Sequence, residues 1–284
     1  MRRPDHDIDL FDARMMGLDG LCAVYVLRGS RNVLIDAGTR DCAPALIDFL
    51  RDARIVPHIV VVTHNHHDHI GAIAPLREAF GPIEVLCGPG GRERLRDPNA
   101  INRLFSPIAF EPIEGVTELA DGETVDCGSR RLRALHTPGH SDDSISVIDL
   151  DTKTLFPGDL PGDWLWGHTF LSTHITPDFS EEKYFASTER LAALDIDSSA
   201  LAHYGFFDGP HARSILQEQK TRYLEWRDAL VPAYRETGNT HALVPILKRF
   251  LVGSRFESVP GYDAVIEALA GWCVMGYLSA GIIE

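Results

Sequence analysis

Thr63-His64-Asn65-His66-His67-Asp68-His69 places four imidazoles and a carboxylate within the six residues from His64 to His69. Such a cluster makes no sense as core packing, because every buried polar group needs a partner. On a solvated face it would gain little. Borderline metal ions such as zinc, by contrast, favour neutral imidazole and carboxylate donors. The preceding residues 59–63 are an apolar, β-branched run that suits a strand covered on both faces. Residues 71–80 then resume a helical pattern. A strand before and a helix after would hold the histidine segment rigid, as a preorganised site requires. His64 and His66 can project to one side while Asp68 and His69 are carried around the bend, so the segment can serve two neighbouring ions. Strand alternation turns His67 away from its neighbours and makes it a bystander. The tract shows no repetition, unlike a low-complexity histidine surface.

Further donors must come from elsewhere. His136-Thr-Pro-Gly-His140 presents His140, Phe156-Pro-Gly-Asp159 presents Asp159, and Leu201-Ala-His203-Tyr-Gly205 presents His203. Each lies at the end of an expected strand. Each alone is ordinary turn chemistry; together with the cluster they supply the number and type of ligand that two ions need.

Around these segments the chain alternates. Residues 21–27 and 32–35 read as paired strands separated by Gly29-Ser30. Asp36-Ala37-Gly38 ends the second, and Asp41 can cap a helix reaching about residue 53. Residues 83–86 are strand-like, and 90–96 suit a helix. Residues 131–135, 145–148 and 154–156 form an expected meander. Residues 157–177 read as one long loop rich in Pro, Gly and Trp, 181–194 as a helix, and 200–202 as a short strand. From about Pro210 the texture is helical only. Ile215, Tyr223, Trp226 and Leu230 share one face; Val265, Leu269 and Trp272 share another.

The 284 residues can bury a substantial core. A formal charge of -14 without any Lys/Arg stripe disfavours a nucleic-acid partner. Five scattered cysteines without a CxxC pair suit a reducing compartment. The N-terminal MRRPDHDIDL has no apolar core of a secretory signal. These features place the protein in the cytoplasm. Residues 264–283 are long and apolar enough to raise a membrane span, but three glycines and absent basic flanks favour a buried helix or subunit interface.

The motifs resemble those of the metallo-β-lactamase superfamily, in its hydrolase, glyoxalase II and lactonase-like branches. His64-Asn-His66-His-Asp68-His69 fills the HxHxDH motif; His140, Asp159 and His203 match the later ligands, although HYG departs from the usual pattern at the last. The resemblance covers about residues 8–208. It implies an α+β fold, a four-layer αββα sandwich with the metals at one edge of two sheets and a C-terminal helical appendage. The expected division is 1–209 for the catalytic domain and 210–284 for a helical region that caps the site or forms a dimer. By resemblance, His64, His66 and His140 bind one ion, Asp68, His69 and His203 the second, Asp159 lies between, and Asp36 supports the ligands from behind.

The expected cofactors are two divalent ions, zinc first, with iron or manganese as alternatives. Paired cations lower the pKa of water and polarise a substrate oxygen, which suits a thioester, lactone or related ester-like bond in a small-molecule substrate. Asp68 would orient the nucleophile or move its proton, and Tyr204 would hydrogen-bond a substrate oxygen. Trp164, Trp166, Phe170 and His174 either line a pocket or pack their loop onto the core. Two rival readings are an iron-dependent oxidoreductase of the persulfide dioxygenase type and a non-catalytic regulatory protein that binds metal. The substrate, the metal identity and the oligomeric state are not written in these residues.

Overall fold

The computed structural model of the chain describes residues 2, 3 and 6–284; Met1, Pro4 and Asp5 of the N-terminal stretch lie outside the described residues. One sheet has seven strands in sequential order: β1 (Arg2–Arg3), β2 (Ile8–Asp12), β3 (Ala23–Leu27), β4 (Asn32–Ile35), β5 (Pro57–Val61), β6 (Glu84–Cys87) and β7 (Val116–Glu118). The first four pair antiparallel, and β4 to β7 are parallel. The other sheet is built from β8 (Thr124–Asp126), β9 (Arg131–His136), β10 (Ile145–Asp149), β11 (Thr154–Phe156), β14 (Ser198–Leu201) and β15 (Gly205–Asp208). Its spatial order is β15-β14-β11-β10-β9-β8. A hairpin of β12 (Asp163–Leu165) and β13 (Thr169–Leu171) stands apart.

Period-two burial explains why these two sheets face each other. In β3, Ala23, Tyr25 and Leu27 enter a core shared with Leu132, Ala134 and Phe156 of the second sheet. Val24 and Val26, on the opposite face, join a separate core. Ile59 and Val61 of β5 likewise point inward while Val60 points outward. A strand buried on both faces must be apolar at every position. The outer face of the first sheet is covered by α1 (Ala43–Asp52), through Leu46 and Leu50, and by α3 (Ile73–Phe80), through Ile73 and Leu76. Short helices α2 (His67–Ile70), α4 (Gly91–Arg96) and α5 (Asn99–Asn102) lie in the connections. The second sheet is covered by α6 (Glu181–Ala192), α7 (Pro210–Thr237), α8 (Val244–Phe250) and α9 (Tyr262–Ser279). The result is an αββα sandwich with C-terminal helices.

The helical tail does not make a core of its own. Trp226 and Leu230 of α7 and Leu269, Cys273 and Tyr277 of α9 share one apolar cluster with Leu135, Ile148, Leu155 and Leu201 of the second sheet. Gly276 fixes how closely α9 approaches: a Cβ there would lie 1.5 Å from the carbonyl oxygen of His174, so only glycine permits the contact. No helix among the described residues is long and apolar enough to cross a membrane.

Two local expectations are corrected, and one left open is resolved. Helix α1 begins after Cys42, with no side-chain cap, and a proline in its first turn supplies the preset φ; Asp41 is not the cap. The long loop at 157–177 contains the β12–β13 hairpin, with Trp164 opposite Phe170. The loop aromatics pack, and none of the four is among the residues lining the cavity beside the 64–69 segment. Trp164 meets Phe170 edge-on at 5.3 Å between centroids, Trp166 meets Phe256 at 5.2 Å, and His174 stacks on Tyr277 at 4.3 Å.

Candidate metal centre

Strand direction brings the singled-out side chains together. Strands β4 and β5 are parallel and end at the same edge, where Asp36 and the 64–69 segment follow them. In the second sheet β10 is antiparallel to both β9 and β11, and β14 is parallel to β11, so β9, β11 and β14 all finish at one edge. Their next residues carry His140, Asp159 and His203. Backbone bonds join the two edges, Ile145 N to Thr63 O at 2.8 Å and Ala23 N to Ala202 O at 2.8 Å.

Four of the five histidines are aimed from behind. His140 Nδ1 donates to the Thr173 carbonyl at 2.7 Å and His203 Nδ1 to the Leu21 carbonyl at 2.6 Å. A carbonyl only accepts, so Nδ1 carries a proton in both rings and Nε2 is the nitrogen turned toward the centre. Asp36 Oδ2 lies 2.9 Å from His69 Nδ1 and accepts the Thr63 hydroxyl at 2.9 Å, while Oδ1 accepts Thr63 N at 2.8 Å. With its proton spent on Asp36, Thr63 Oγ1 is left to accept from His64 Nδ1 at 3.2 Å. Asp36 holds a left-handed backbone (φ 61°), which the short Asp side chain tolerates. Gly139 admits the HTPGH turn: a Cβ there would meet the Tyr184 backbone at 2.4 Å.

Three imidazole nitrogens therefore face a common point. His64 Nε2 is 2.8 Å from His66 Nδ1 and 3.2 Å from His140 Nε2, and His140 Nε2 is 3.0 Å from His66 Nδ1. His64 and His140 present lone pairs that cannot satisfy each other; a cation at their centre satisfies all three. Burial, reinforced by neighbouring imidazoles, holds His64 and His66 well below the ordinary imidazole value, in the neutral form a ligand requires.

The second group is carboxylate-rich. Asp159 Oδ1 lies 3.2 Å from His69 Nε2 and 3.6 Å from His203 Nε2, while Oδ2 lies 3.6 Å from His140 Nε2 and 3.8 Å from His64 Nε2. Its two oxygens thus address the two histidine sets. Asp68 Oδ2 is 3.3 Å from His203 Nε2, and Oδ1 is 3.7 Å from His69 Nε2. Burial works against ionised Asp68 and Asp159, but the surrounding histidines hold both carboxyls well below the usual range. Burial likewise opposes protonation of His69, yet Asp159, Asp36 and Asp68 raise it well above the ordinary value. His203 is pushed up to about 10 against burial by Asp163, Asp159 and Asp68. This concentration of negative charge calls for cations, and the donor set fits a divalent ion.

The sequence reading missed Asp163. It is buried, its Oδ1 has no hydrogen-bond partner, and it lies with Asp159 and His203 in one group whose ligand atoms are within 4.8 Å of one another. Burial drives its carboxyl up to about 7. The signal was a duplicated Pro-Gly-Asp, at 157–159 and 161–163. Asp143 was missed as well. It accepts Asn65 N at 3.0 Å and the Ser141 hydroxyl at 2.9 Å, tying the histidine segment to the HTPGH turn. Cys22 lies with Asp68 and His203 in another such group; its thiol contacts the Asp68 carbonyl at 3.6 Å.

Two residues differ from expectation. His67 is not turned away: it opens α2, lines the cavity beside the centre and places Nδ1 3.1 Å from Asp68 Oδ1. Helical spacing replaced the strand alternation used to dismiss it. Tyr204 donates its hydroxyl to Asp12 Oδ2 at 3.3 Å and is not among the cavity-lining residues. The structure therefore brings His64, His66, Asp68, His69, His140, Asp159 and His203 together and leaves Tyr204 aside.

The sequence profile of the metallo-β-lactamase superfamily matches residues 17–203. The chain is 26% identical over 205 residues to a hydroxyacylglutathione hydrolase of Photobacterium profundum, covering 71% of this chain and 69% of that protein. It is 30% identical over 159 residues to the acyl-coenzyme A thioesterase MBLAC2 of Gallus gallus, covering 48% and 56% respectively. Against a relative from Aspergillus versicolor named as a transcription factor, 30% identical over 70% of this chain, it spans 61% of the longer protein. Among solved structures, the B3 metallo-β-lactamase BLEG-1 superposes with a TM-score of 0.57 at 28% identity, covering 70% of this chain and 91% of that one. A metallo-β-lactamase superfamily protein from Sulfolobus tokodaii gives 0.59 at 24% identity, covering 72% and 81%. With its ligand geometry and its profile match in agreement, the chain belongs to the metallo-β-lactamase superfamily.

Proposed function

We propose that the protein is a dinuclear metal-dependent hydrolase of an ester-like bond, a thioester, lactone or related carbonyl compound. The observation that carries this reading is the division of the Asp159 carboxylate, with one oxygen toward His64 and His140 and the other toward His69 and His203. His64, His66 and His140 would hold one ion, and Asp68, His69 and His203 the second, with Asp159 between them. Asp163 faces the second set. The imidazole and carboxylate donors suit zinc at both sites, with iron or manganese as alternatives. When bound, such a pair supplies Lewis acidity to water and to the substrate carbonyl.

The chain's own groups do the rest. Asp68 lines the cavity and sits between His67, at 3.1 Å, and His203, at 3.3 Å. It is the carboxylate placed to orient the attacking water and take its proton. Asp36 and the Thr173 and Leu21 carbonyls keep the imidazoles in register, so no rearrangement is needed when substrate enters. The enzymes among the relatives named above support the ester-like class. The cytoplasm remains the expected compartment and a small molecule the expected partner; of the two roles expected for 210–284, a cap or a dimer contact, the cap is favoured by the α9 residues that line the cavity.

The test is metal content by mass spectrometry on purified protein, followed by thioester, lactone, phosphodiester and β-lactam substrates with and without chelator. Two equivalents of metal and chelator-sensitive cleavage of a thioester or lactone are expected. Metal-free protein of full activity would defeat the proposal, and oxygen consumption with a persulfide would replace it with the oxidoreductase reading.

A further inference from the structure

The cavity above the centre has two unlike walls. One carries His66, Asp68, His140, Asp159, Asp163 and His203. The other is apolar, built from Leu269, Trp272, Val265 and Ile266 of α9 with Phe256 and Leu251 just before it. Phe105 closes one side, its ring 5.4 Å from Trp272, and the Trp272 indole donates to the Leu104 carbonyl at 3.2 Å. The volume is about 590 Å³, within the range of sites that enclose a whole small molecule. Met16, at the lining, is 42% exposed, and Leu104 and Ile108 in the segment around Phe105 are 43% and 45% exposed, so the apolar surface continues outward.

Among the described residues that line this cavity, none is lysine or arginine. Away from the wall of metal-binding residues the lining carries no charged side chain, so an anionic group in the body of the cavity would lose its hydration and find no ammonium or guanidinium to pair it. The -14 net charge of the chain acts in the same direction. A substrate whose body bears carboxylates or phosphates is therefore disfavoured within the cavity, whereas an unbranched hydrocarbon gains from every methylene it removes from water.

We infer that the cavity holds the aliphatic acyl chain of an ester, thioester or lactone, with the carbonyl at the metal centre and the chain along α9. This deepens the hydrolase reading and rests on it for the cleavage step, but not for chain binding. In that step water adds to the acyl carbonyl, the carbon–oxygen or carbon–sulfur bond breaks, and the proton taken up by Asp68 passes to the leaving alkoxide or thiolate.

The experiment uses the metal-loaded full chain with p-nitrophenyl esters from acetate to dodecanoate. In parallel, the matching 1-alkanols displace the neutral dye Nile red at equilibrium. Both kcat/KM and alkanol affinity are expected to rise roughly fourfold per methylene until the chain fills the cavity. Ala268→Trp, which narrows the α9 wall, should move the optimum to shorter chains in both assays. Alkanols that bind with this dependence while no ester or thioester is cleaved would sink the hydrolase reading and leave the chain site standing. Esters cleaved at rates indifferent to chain length, or Nile red displaced better by succinate than by hexanol, would overturn the chain site and leave the hydrolase standing.

Discussion

The imidazole wall of the cavity and the α9 wall are built by different means. The first is assembled from turns at strand ends, with four of its five histidines locked by a second partner, among them His69 by Asp36, His64 by Thr63 and His140 by the Thr173 carbonyl. Its residues cannot be exchanged without leaving a buried charge or lone pair unpaired. The second is a helix face of Leu, Ile, Val and Trp, held mainly by non-directional packing, with one glycine contact and the Trp272 indole bond to the Leu104 carbonyl. Such a surface tolerates volume-conserving exchange. The proposed chemistry therefore lies where substitution is costly, and the proposed chain selectivity where it is cheap.

Substitutions on each wall can break that contrast. The largest effect is expected from Asp159→Ala, which removes the group shared by both histidine sets. Metal content should fall and cleavage should drop by more than about 100-fold, beyond the loss typical of supporting residues. Retention of two metal equivalents by this variant would refute its place between the ions. Asp36→Asn keeps the ligands but weakens their orientation, and metal affinity by competition titration should fall roughly 10- to 100-fold.

On the other wall, Gly276→Ala forces α9 away from the His174 carbonyl. Urea unfolding should report a loss of about 1–3 kcal/mol, with metal stoichiometry unchanged; loss of metal would show that the two walls are not separable.

The same contact predicts a pH effect. Burial pushes the His174 imidazole from 6.5 down to about 3. Below pH 6.5 the unfolded chain binds a proton that the native imidazole does not, so stability falls by about 1.4 kcal/mol per pH unit toward pH 3. Urea titrations at pH 7, 6 and 5 should show that His174→Phe removes this portion of the slope; identical slopes would exclude it. The smallest effect belongs to Tyr204→Phe. Loss of the Asp12 bond should cost about 1 kcal/mol with kcat unchanged, and a large fall in kcat would return Tyr204 to the site.

The comparison also explains what could be read from the residues in order. The ligand wall was legible because its donors are rare residue types concentrated in short motifs, and a metal is the main reason to concentrate them. The two-sided burial of β5 was legible for a similar reason, since the run 59–62 has no polar face to spare. Asp163 was overlooked because one carboxylate after a Pro-Gly turn looks like turn chemistry until its oxygen is seen buried without a partner. His67 was misjudged because two-residue alternation was applied to a segment that becomes helical at that residue. The aromatics at 164–170 were ambiguous because a hairpin and a pocket lining use the same residues.

The concentration of imidazoles and carboxylates in short motifs by itself determined the reaction class expected of this chain: four histidines and an aspartate within residues 64–69 point to a metal, where a single one would not. The shape of the substrate space was decided only by tertiary structure. Leu269 and Trp272 would serve equally well in a core, a dimer contact or a pocket, and it is the seating of α9, permitted by the absent side chain of Gly276, that turns them toward the ligands. Hydrophobic groups carry no direction of their own; packing supplies it.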